Sequence, residues 1–558
     1  PGEPKSGVCR GRPGGGGPPE PQARRPEVQR VKPIEHVRAW RRAAPAFCLL
    51  AAALGACASD TAAPPARQAA GRAAPAVGPL PSDALIPDET ELRERLDEAI
   101  ELRPREDFDR VLDARDPGEL IEHATLTEVD FDRRRVGIDT LFVVGDELFG
   151  YAFRPENGWG SAASNRSSGD GTPRLRRVHR GPAGGPDAFG CFACHSKGSP
   201  DGSGTQTQNA FFFGDGERTS TADERNPPHL LGLGPVALLA REMSAALAVQ
   251  AERARARARS EGRRVELPLA AKGISFGRIV AGPDGTLDPS AVEGVDADLI
   301  VRPFGWKGHR ATLREMAEES FHVHQGLLSK DIHEAVREGA LDAAPFGEGP
   351  WYDLDEDGVS LEIDSGMLTT MVGYLAQLEV PVIRPPRDPG LLDRFAAGRA
   401  LFESVGCAGC HVPTLELEDS RFDVRQPAAA DRPPFFVDVA KDGETPKIEP
   451  KHAGEQTSYL VHLFSDLKRY DMGDALATPG AQGRIPARVF LTRPLWGLAE
   501  TAPYLHDGRA PTVHEAIVLH GGAGSPARDA YLALDEESRG DLRGFLASLS
   551  RQPKLFVP

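Results

Sequence analysis

Apolar residues recur at helical spacing in several stretches of the chain, separated by long polar segments. Two stretches stand out, residues 365–378 (SGMLTTMVGYLAQL) and 537–549 (ESRGDLRGFLASL). Each reads as one amphipathic helix. A different pattern occupies residues 43–59 (AAPAFCLLAAALGACAS), a single unbroken apolar run behind Arg38, Arg41 and Arg42. It is too short for a comfortable membrane span and fits the core of an export signal. Its end, Leu54-Gly55-Ala56-Cys57, has the form of a lipobox, in which Cys57 is lipidated; an ordinary signal peptide cut nearby is the alternative. The segment before it is rich in Gly, Pro and Arg without periodicity and reads as disordered, or as text upstream of the natural start. An Ala/Pro-rich tether follows to about residue 80.

Composition sharpens this division. Gly (60) and Pro (49) are frequent, which predicts long irregular loops. Residues 1–80 hold 12 Lys/Arg against 5 Asp/Glu, yet the whole chain carries −16. The body is therefore strongly acidic, which does not suit a nucleic-acid binder; it suits a basic redox partner, with plain solubility as the other reading. Seven Cys are present: Cys9, Cys48, Cys57 and two pairs, Cys191/Cys194 and Cys407/Cys410. Once a leader is removed and Cys57 acylated, no Cys is left for a disulfide framework.

Each pair is followed by His, giving Cys191-Phe192-Ala193-Cys194-His195 and Cys407-Ala408-Gly409-Cys410-His411. Two thiols at this spacing add to the two vinyl groups of one haem, and the next His lies under the iron. Two zinc knuckles are the rival reading, but a His follows both pairs and the chain reads as exported. The sequence thus predicts two haem c groups with His195 and His411 as proximal ligands.

The text around the motifs is repeated. Residues 306–316 (WKGHRATLREM) align with 506–516 (HDGRAPTVHEA), sharing Gly308/Gly508, Thr312/Thr512 and Glu315/Glu515. Arg225-Asn226-Pro227-Pro228 with Gly232-Leu233 corresponds to Arg493-Pro494-Leu495-Trp496-Gly497-Leu498. The expected fold is mainly α: two cytochrome c-like haem domains with long irregular loops, behind a disordered leader. The expected parts are residues 1–80 (leader, lipobox and tether), 81–385 (N-terminal haem c domain) and 390–552 (C-terminal haem c domain). A Pro-rich hinge at residues 383–389 joins the last two.

With FGWKGHRATLRE (304–315), YDMGDALA (470–477), RPLWGLAETAPYLHDGRAPTVHEAI (493–517) and LHGG (519–522), the chain resembles the bacterial di-haem cytochrome c peroxidase superfamily. Within it, the chain is most similar to the di-haem oxidoreductases often labelled thiol oxidoreductases. The likeness runs from about residue 125 to 552 and is stronger in the second half. It implies periplasmic redox chemistry, usually linked to peroxide. It also implies a distal ligand fourteen residues after His506, which is His520, carried by a helix from Thr512 that Gly521-Gly522 would end. Met472 is the rival ligand. Trp306 aligns with the tryptophan that lies between the haems and relays electrons. A Gln ten residues after that Trp and an acid about twenty after it line the peroxide pocket in the family; here those positions are Met316 and Gly326. Glu318, Glu319, His322, His324 and Gln325 are the candidates to replace them.

Asp353, Asp355, Asp357, Gly358, Val359 and Asp364 match an Asp-x-Asp-x-Asp-Gly calcium loop, with Val359 offering its carbonyl and Glu362 an alternative to Asp364. An acidic turn without metal is the other reading. Together these features predict a periplasmic, peroxidase-like enzyme anchored to the membrane by lipid alone. A small donor, of cytochrome c or cupredoxin type, feeds haem 2, Trp306 passes electrons on, and haem 1 is catalytic. A pure electron carrier and an oxidase of a protein or sulfur substrate are the alternatives.

Overall fold

The computed structural model describes residues 126–132, 136–160, 187–196, 209–212, 219–425, 432–454 and 456–551. The leader, Cys57 and the tether lie outside them. Among the described residues, no helix is long and apolar enough to cross a membrane.

The chain order begins with α1 (Glu128–Asp132), α2 (Ile138–Gly150), β1 (Ala210–Phe212), β2 (Asp223–Arg225) and the long α3 (Leu233–Glu261). Then come β3 (Val265–Ala271), β4 (Ile274–Ala281), β5 (Leu287–Asp288), α4 (Leu313–Ser320), α5 (Lys330–Arg337) and α6 (Ser365–Gln377). After β6 (Val382–Ile383), α7 (Pro389–Ser404) leads to β7 (Leu415–Leu417), β8 (Arg421–Asp423), β9 (Phe436–Asp438), β10 (Glu449–Ala453) and β11 (Gln456–Val461). The chain ends with β12 (Arg469–Asp471), β13 (Val489–Leu491), α8 (Val513–Val518), α9 (Ser525–Ala533), α10 (Glu536–Leu546) and β14 (Leu549–Ser550).

The expectation of a mainly α fold is therefore corrected: fourteen strands in six small antiparallel sheets stand among ten α-helices of the described residues. The largest departure is the β3–β4–β5 sheet after α3. Val265, Leu269 and Ala271 are buried while Glu266, Pro268 and Ala270 are exposed, the period-2 alternation of a half-buried strand. Lys272 and Gly273, both at positive φ (49° and 79°), make the two-residue turn that pairs Ala271 with Ile274.

α6 differs from its reading in another way. All of its residues are buried, so it is a central helix rather than an amphipathic one. α2 crosses it closely, because Gly145 lies against Tyr374 and Gly373 against Leu141. The larger core surrounds α6 and includes Leu415, Leu417, Val437, Val461 and Trp496, so it continues past the Pro-rich segment. A smaller core holds Phe402, Phe464, Tyr531, Leu542 and Phe545, where α7 crosses α10. The approach there depends on Gly398, whose missing side chain would meet the Asp541 carbonyl. β14 returns to pair with β6, tying the end of the chain to the segment between the haem motifs.

The duplication is visible in local geometry. Thr312 and Thr512 each cap a helix, accepting from Glu315 N (3.1 Å) and Glu515 N (3.2 Å). Each Glu carboxylate reaches back to its Thr N–H, at 3.0 and 3.1 Å. Gly308 and Gly508 both turn at positive φ, 60° and 72°. Beyond this point the units diverge. α4 continues into a π-turn, Phe321–Gln325, that Gly326 ends at φ 73°. α8 stops at Val518, so His520 follows the helix rather than lying on it.

Candidate functional site

Both Cys-x-x-Cys-His segments fold as the same tight turn. Residues Cys191–Ala193 and Cys407–Gly409 are 3-10 turns, and the His195 and His411 N–H groups donate to the carbonyls of Cys191 (3.0 Å) and Cys407 (2.9 Å). This puts the two thiols and the imidazole of each motif on one short loop, as a single covalently bound group requires.

In the second site, the rings of His411 and His520 lie 6.5 Å apart, centre to centre. His411 Nδ1 donates to the Phe464 carbonyl (3.1 Å) and His520 Nδ1 to the Ala516 carbonyl (2.7 Å). A carbonyl only accepts, so both Nδ1 atoms carry the proton and both Nε2 lone pairs are left for a metal. Two metal–nitrogen bonds of about 2 Å and the two ring radii together span about 6–6.5 Å, so the spacing suits an iron between them. Burial holds His411 down to about 4, with His520 adding to the effect, and burial also lowers His520; both stay neutral, as ligands must. Met472 lies beside His520: a methyl group on Gly524 would meet Met472 Cε and His520 Cβ at 3.2 and 3.1 Å.

The first site is a cavity of about 610 Å³ whose walls include Cys191, Cys194, His195, Trp306, Met316 and His322. This is ample for a cofactor. Two of its acids, Glu318 and Glu319, are pushed in opposite directions. Burial raises the Glu318 carboxyl, which accepts from Ser329 Oγ. Burial would raise Glu319 as well, but His309 (2.7 Å) and Arg310 (2.9 and 3.0 Å) bind it and hold it down to about 2. At neutral pH Glu319 is thus a fixed anion and Glu318 the acid more able to hold a proton.

The depressed Glu319 makes a testable link to stability. Its ordinary value is 4.5, so its stabilising contribution is present above that pH and is lost as pH falls towards 2. Its side chain is 21% exposed. Glu319→Gln should cost up to about 3 kcal/mol at pH 7. Thermal unfolding of both proteins should show the gap closing below about pH 4.5; a gap independent of pH would mean the carboxylate is not anchored as described.

His322, His324 and Gln325 all come from the π-turn and border the cavity. Burial would lower His324, but Asp187, 3.1 Å from its Nδ1, outweighs this and raises it. Gln325 Nε2 lies 3.7 Å from Cys191 Sγ, so this side chain leans on the first haem turn. His322 sits against Phe346, ring centres 5.2 Å apart. Ser320, which occupies the place of His520, donates its hydroxyl to the Met316 carbonyl at 2.8 Å.

Trp306 joins the two repeats. Its indole N–H donates to the Asn226 carbonyl (2.7 Å), and its own carbonyl accepts from Leu491 N (3.1 Å). The Arg493 guanidinium lies 5.5 Å from its ring. Sequence reasoning missed Arg493, His309 and His229 as members of this site. Arg493 is half-buried, desolvation pulls it down to about 10, and it has no ion-pair partner among the described residues. His229 is held to about 3, by burial first and then by Arg493, Arg551 and His195. Arg493 and His309 stood in segments that the alignment of the repeats marked without assigning a role; His229 lay just outside them.

In the acidic turn, Asp353, Asp355 and Asp357 bring carboxylate oxygens within 4.8 Å of one another. Asp355 is pushed up to about 9, by burial first and then by Glu362, Asp357 and Asp353; burial lifts Asp357 to about 6. Asp364 does not join them: it caps α6, accepting from Gly366 N at 2.8 Å. Glu362, with no exposed side-chain surface, stands against the cluster instead. A helix start needs its cap, and the capping aspartate cannot reach back into the turn that precedes it.

Among curated relatives, the chain is 24% identical over 177 residues to the Cbb3-type cytochrome c oxidase subunit CcoP of Helicobacter pylori (strain 52), covering 29% of this chain. It is likewise 24% identical over 169 residues to the same subunit of strain ATCC 700392 / 26695, covering 28% of this chain. It spans only 58% and 56% of those proteins' length. Among solved structures, a MauG-like protein associated with microbial copper homeostasis is 17% identical, with TM-score 0.23, covering 49% of this chain and 79% of that one. Kuenenia stuttgartiensis hydrazine synthase, pressurized with xenon, is 18% identical with TM-score 0.19, covering 34% of this chain and 57% of that one. The family match is more direct: residues 361–549 fit the family described as "Di-haem oxidoreductase, putative peroxidase". These residues, which hold the second haem motif, Trp496, His506 and His520, are what the chain shares with the di-haem oxidoreductases.

Proposed function

We propose that the chain is an exported, peroxidase-like di-haem oxidoreductase in which electrons enter at the second haem site and substrate reacts at the first. Haem c held at the two sites would supply one-electron redox chemistry and, at the first, an iron able to take peroxide. The observation that carries the reading is the asymmetry of the repeat. One unit sets two neutral imidazoles 6.5 Å apart, and the other has Ser320, a poor iron ligand, in the place of His520. A ligand pair on one side suits a site that only transfers electrons; its lack on the other suits a site that must bind something else.

The side chains divide the remaining work. Cys191, Cys194, Cys407 and Cys410 would hold the haems, with His195 and His411 beneath the irons. Arg493, half-buried without an acidic partner among the described residues, suits a haem propionate. Glu318, raised by burial at the cavity wall, is the group that would hold a proton there for acid–base chemistry. Glu319, pinned by His309 and Arg310, fixes the cavity wall and does not give up its charge. Trp306, bonded to both units, would relay electrons between them. The acidic body would receive a small basic donor protein, of cytochrome c or cupredoxin type. Calcium on the acidic turn and a lipid anchor at Cys57 complete this reading, with the periplasm as its compartment.

The test is a haem count followed by electron paramagnetic resonance (EPR). A pyridine haemochrome assay should give two c-type haems per chain that survive acid-acetone extraction. The oxidised protein should show one low-spin and one high-spin signal, and cyanide should abolish the high-spin one. Two low-spin signals that cyanide leaves unchanged would make the protein an electron carrier and end the peroxidase reading.

A further inference from the structure

Charge must also pass between Trp306 and the second haem site, and a tyrosine stands along that way. Tyr470 lies on β12, paired with Phe490 of β13. The next β13 residue, Leu491, donates its N–H to the Trp306 carbonyl (3.1 Å). The Tyr470 side chain turns towards the second haem turn, where its hydroxyl meets the Cys410 thiol. With haem attached, that sulfur is part of the covalent link. Tyr470 thus joins the strand pair that holds Trp306 to the loop that would hold the second haem.

Its hydroxyl has a proton acceptor. Tyr470 Oη donates to Asp466 Oδ2 at 2.7 Å. Asp466 keeps 1% of its surface, and its backbone N–H donates to the Cys410 carbonyl (2.9 Å), so the acid is fixed to the same loop. Its Oδ1 accepts from Lys468 N (2.9 Å), and the Thr492 side chain also bonds it. Burial raises this carboxyl, which favours uptake of a proton. The Lys468 ammonium, held by the Ser275 carbonyl (2.7 Å) and beside Glu293 (3.7 Å), lies 5.3 Å from the centre of the Tyr470 ring. A cation there opposes positive charge on the phenol. An electron therefore leaves the ring most readily when the hydroxyl proton leaves with it. Tyr374 also donates to a carboxylate, Asp146 (3.0 Å), but its ring packs on Phe149 at the first site.

We infer that Tyr470 and Asp466 form a proton-coupled step of the relay between Trp306 and the second haem site. When the Trp306 indole has lost an electron, Tyr470 supplies one and its hydroxyl proton passes to Asp466 Oδ2. This leaves a neutral tyrosyl radical and a protonated carboxyl. An electron arriving from the second site, with the proton returned by Asp466, restores the phenol. The net change is one electron moved from the second site to Trp306. The step rests on the proposed function for its natural oxidant, a peroxide acting at the first site; the tyrosine–carboxylate pair does not.

The test uses the full holo-protein and two oxidants. One is hydrogen peroxide; the other is a flash-generated ruthenium(III) polypyridyl complex, which removes single electrons without using the first cavity. Freeze-quench EPR of the fully oxidised protein should show a tyrosyl radical with either. Ring-deuterated tyrosine should narrow the signal, and Tyr470→Phe should remove it. In stopped flow of the half-reduced protein, Tyr470→Phe should slow exchange between the haems about tenfold or more. It should also abolish the slowing that D₂O produces in the wild type. Asp466→Asn, which keeps a hydrogen-bond acceptor but takes no proton, should do the same while both haem spectra stay as they are. A tyrosyl signal that survives in Tyr470→Phe and vanishes in Tyr374→Phe overturns the proposal. So does an exchange rate that neither Tyr470→Phe nor Asp466→Asn alters, or the lack of a radical with both oxidants. A radical at Tyr470 with ruthenium but not with peroxide upholds the pair and ends the peroxidase reading.

Discussion

His520→Ala is expected to open the second haem, replacing its low-spin signal with a high-spin one and shifting its reduction potential. The axial ligand is a main control on that potential, and no substitution in this chain changes the ligand field more directly. The imidazole is held for the purpose by the Ala516 carbonyl, and it follows a helix whose start is fixed by the Thr512–Glu515 capping box. Covalent attachment through Cys407 and Cys410 should keep the haem in place, so loss of the ligand can be separated from loss of the cofactor by a haem count. Ser320→Ala should leave both spin states unchanged, since its hydroxyl already serves the Met316 carbonyl. Met472 supplies the alternative outcome. If His520→Ala stays low-spin and gains a sulfur-to-iron charge-transfer band, Met472 has moved onto the iron. If that band is already present in the unmodified protein, Met472 is the native ligand and the pairing of His411 with His520 is wrong.

What could be read from sequence follows the range of the physics involved. The haem turns were legible because two thiols and an imidazole must lie within five consecutive residues. The repeat was legible because Thr312/Glu315 and Thr512/Glu515 are local devices whose partners are three residues apart. His520 was implied by the family resemblance, and its ring lies 6.5 Å from that of His411, although the helix expected to carry it ends before it. The sheets were not seen. The alternation in residues 265–271 is short, contains Pro268, and follows an Arg/Ala run that reads as helix. α6 was read as amphipathic because its Thr, Ser and Gln look like a polar face. Those groups are buried with backbone carbonyls as partners: Thr369 bonds Ser365, Thr370 bonds Gly366 and Gln377 bonds Gly373. Side-chain bonding of this kind removes the polar signal that periodicity depends on. Arg493, His229 and His309 were out of reach for a different reason. Their roles come from neighbours far away in sequence, and nothing local marks a buried cation.

Trp306→Phe is expected to leave the spectra of both haems intact and to slow electron exchange between them about tenfold or more, equivalent to about 1.4 kcal/mol in the barrier. The argument begins with the three ties on this residue. Its indole N–H reaches Asn226, in the segment after the first haem motif. Its carbonyl takes the N–H of Leu491, on β13 before His506 and His520. Arg493 covers its ring. No other indole has this placement among the described residues: Trp159 donates to Ala188 beside the first motif, Trp351 is exposed beside Arg337, and Trp496 is buried in the larger core. Phenylalanine preserves the bulk and most of the packing but lacks the N–H and is much harder to oxidise. The lost bond to Asn226 should cost about 1–3 kcal/mol of stability, which is small enough for the fold to survive. Arg493 sets a condition on the relay. A bare guanidinium beside the ring opposes positive charge on the indole, so the relay requires an anion on Arg493, the part assigned above to a propionate. Stopped-flow mixing of half-reduced protein with peroxide, followed at the bands of each haem, reads the exchange rate directly. An unchanged rate in Trp306→Phe would exclude the indole as carrier and leave the hydrogen-bonded path through Leu491 as the route.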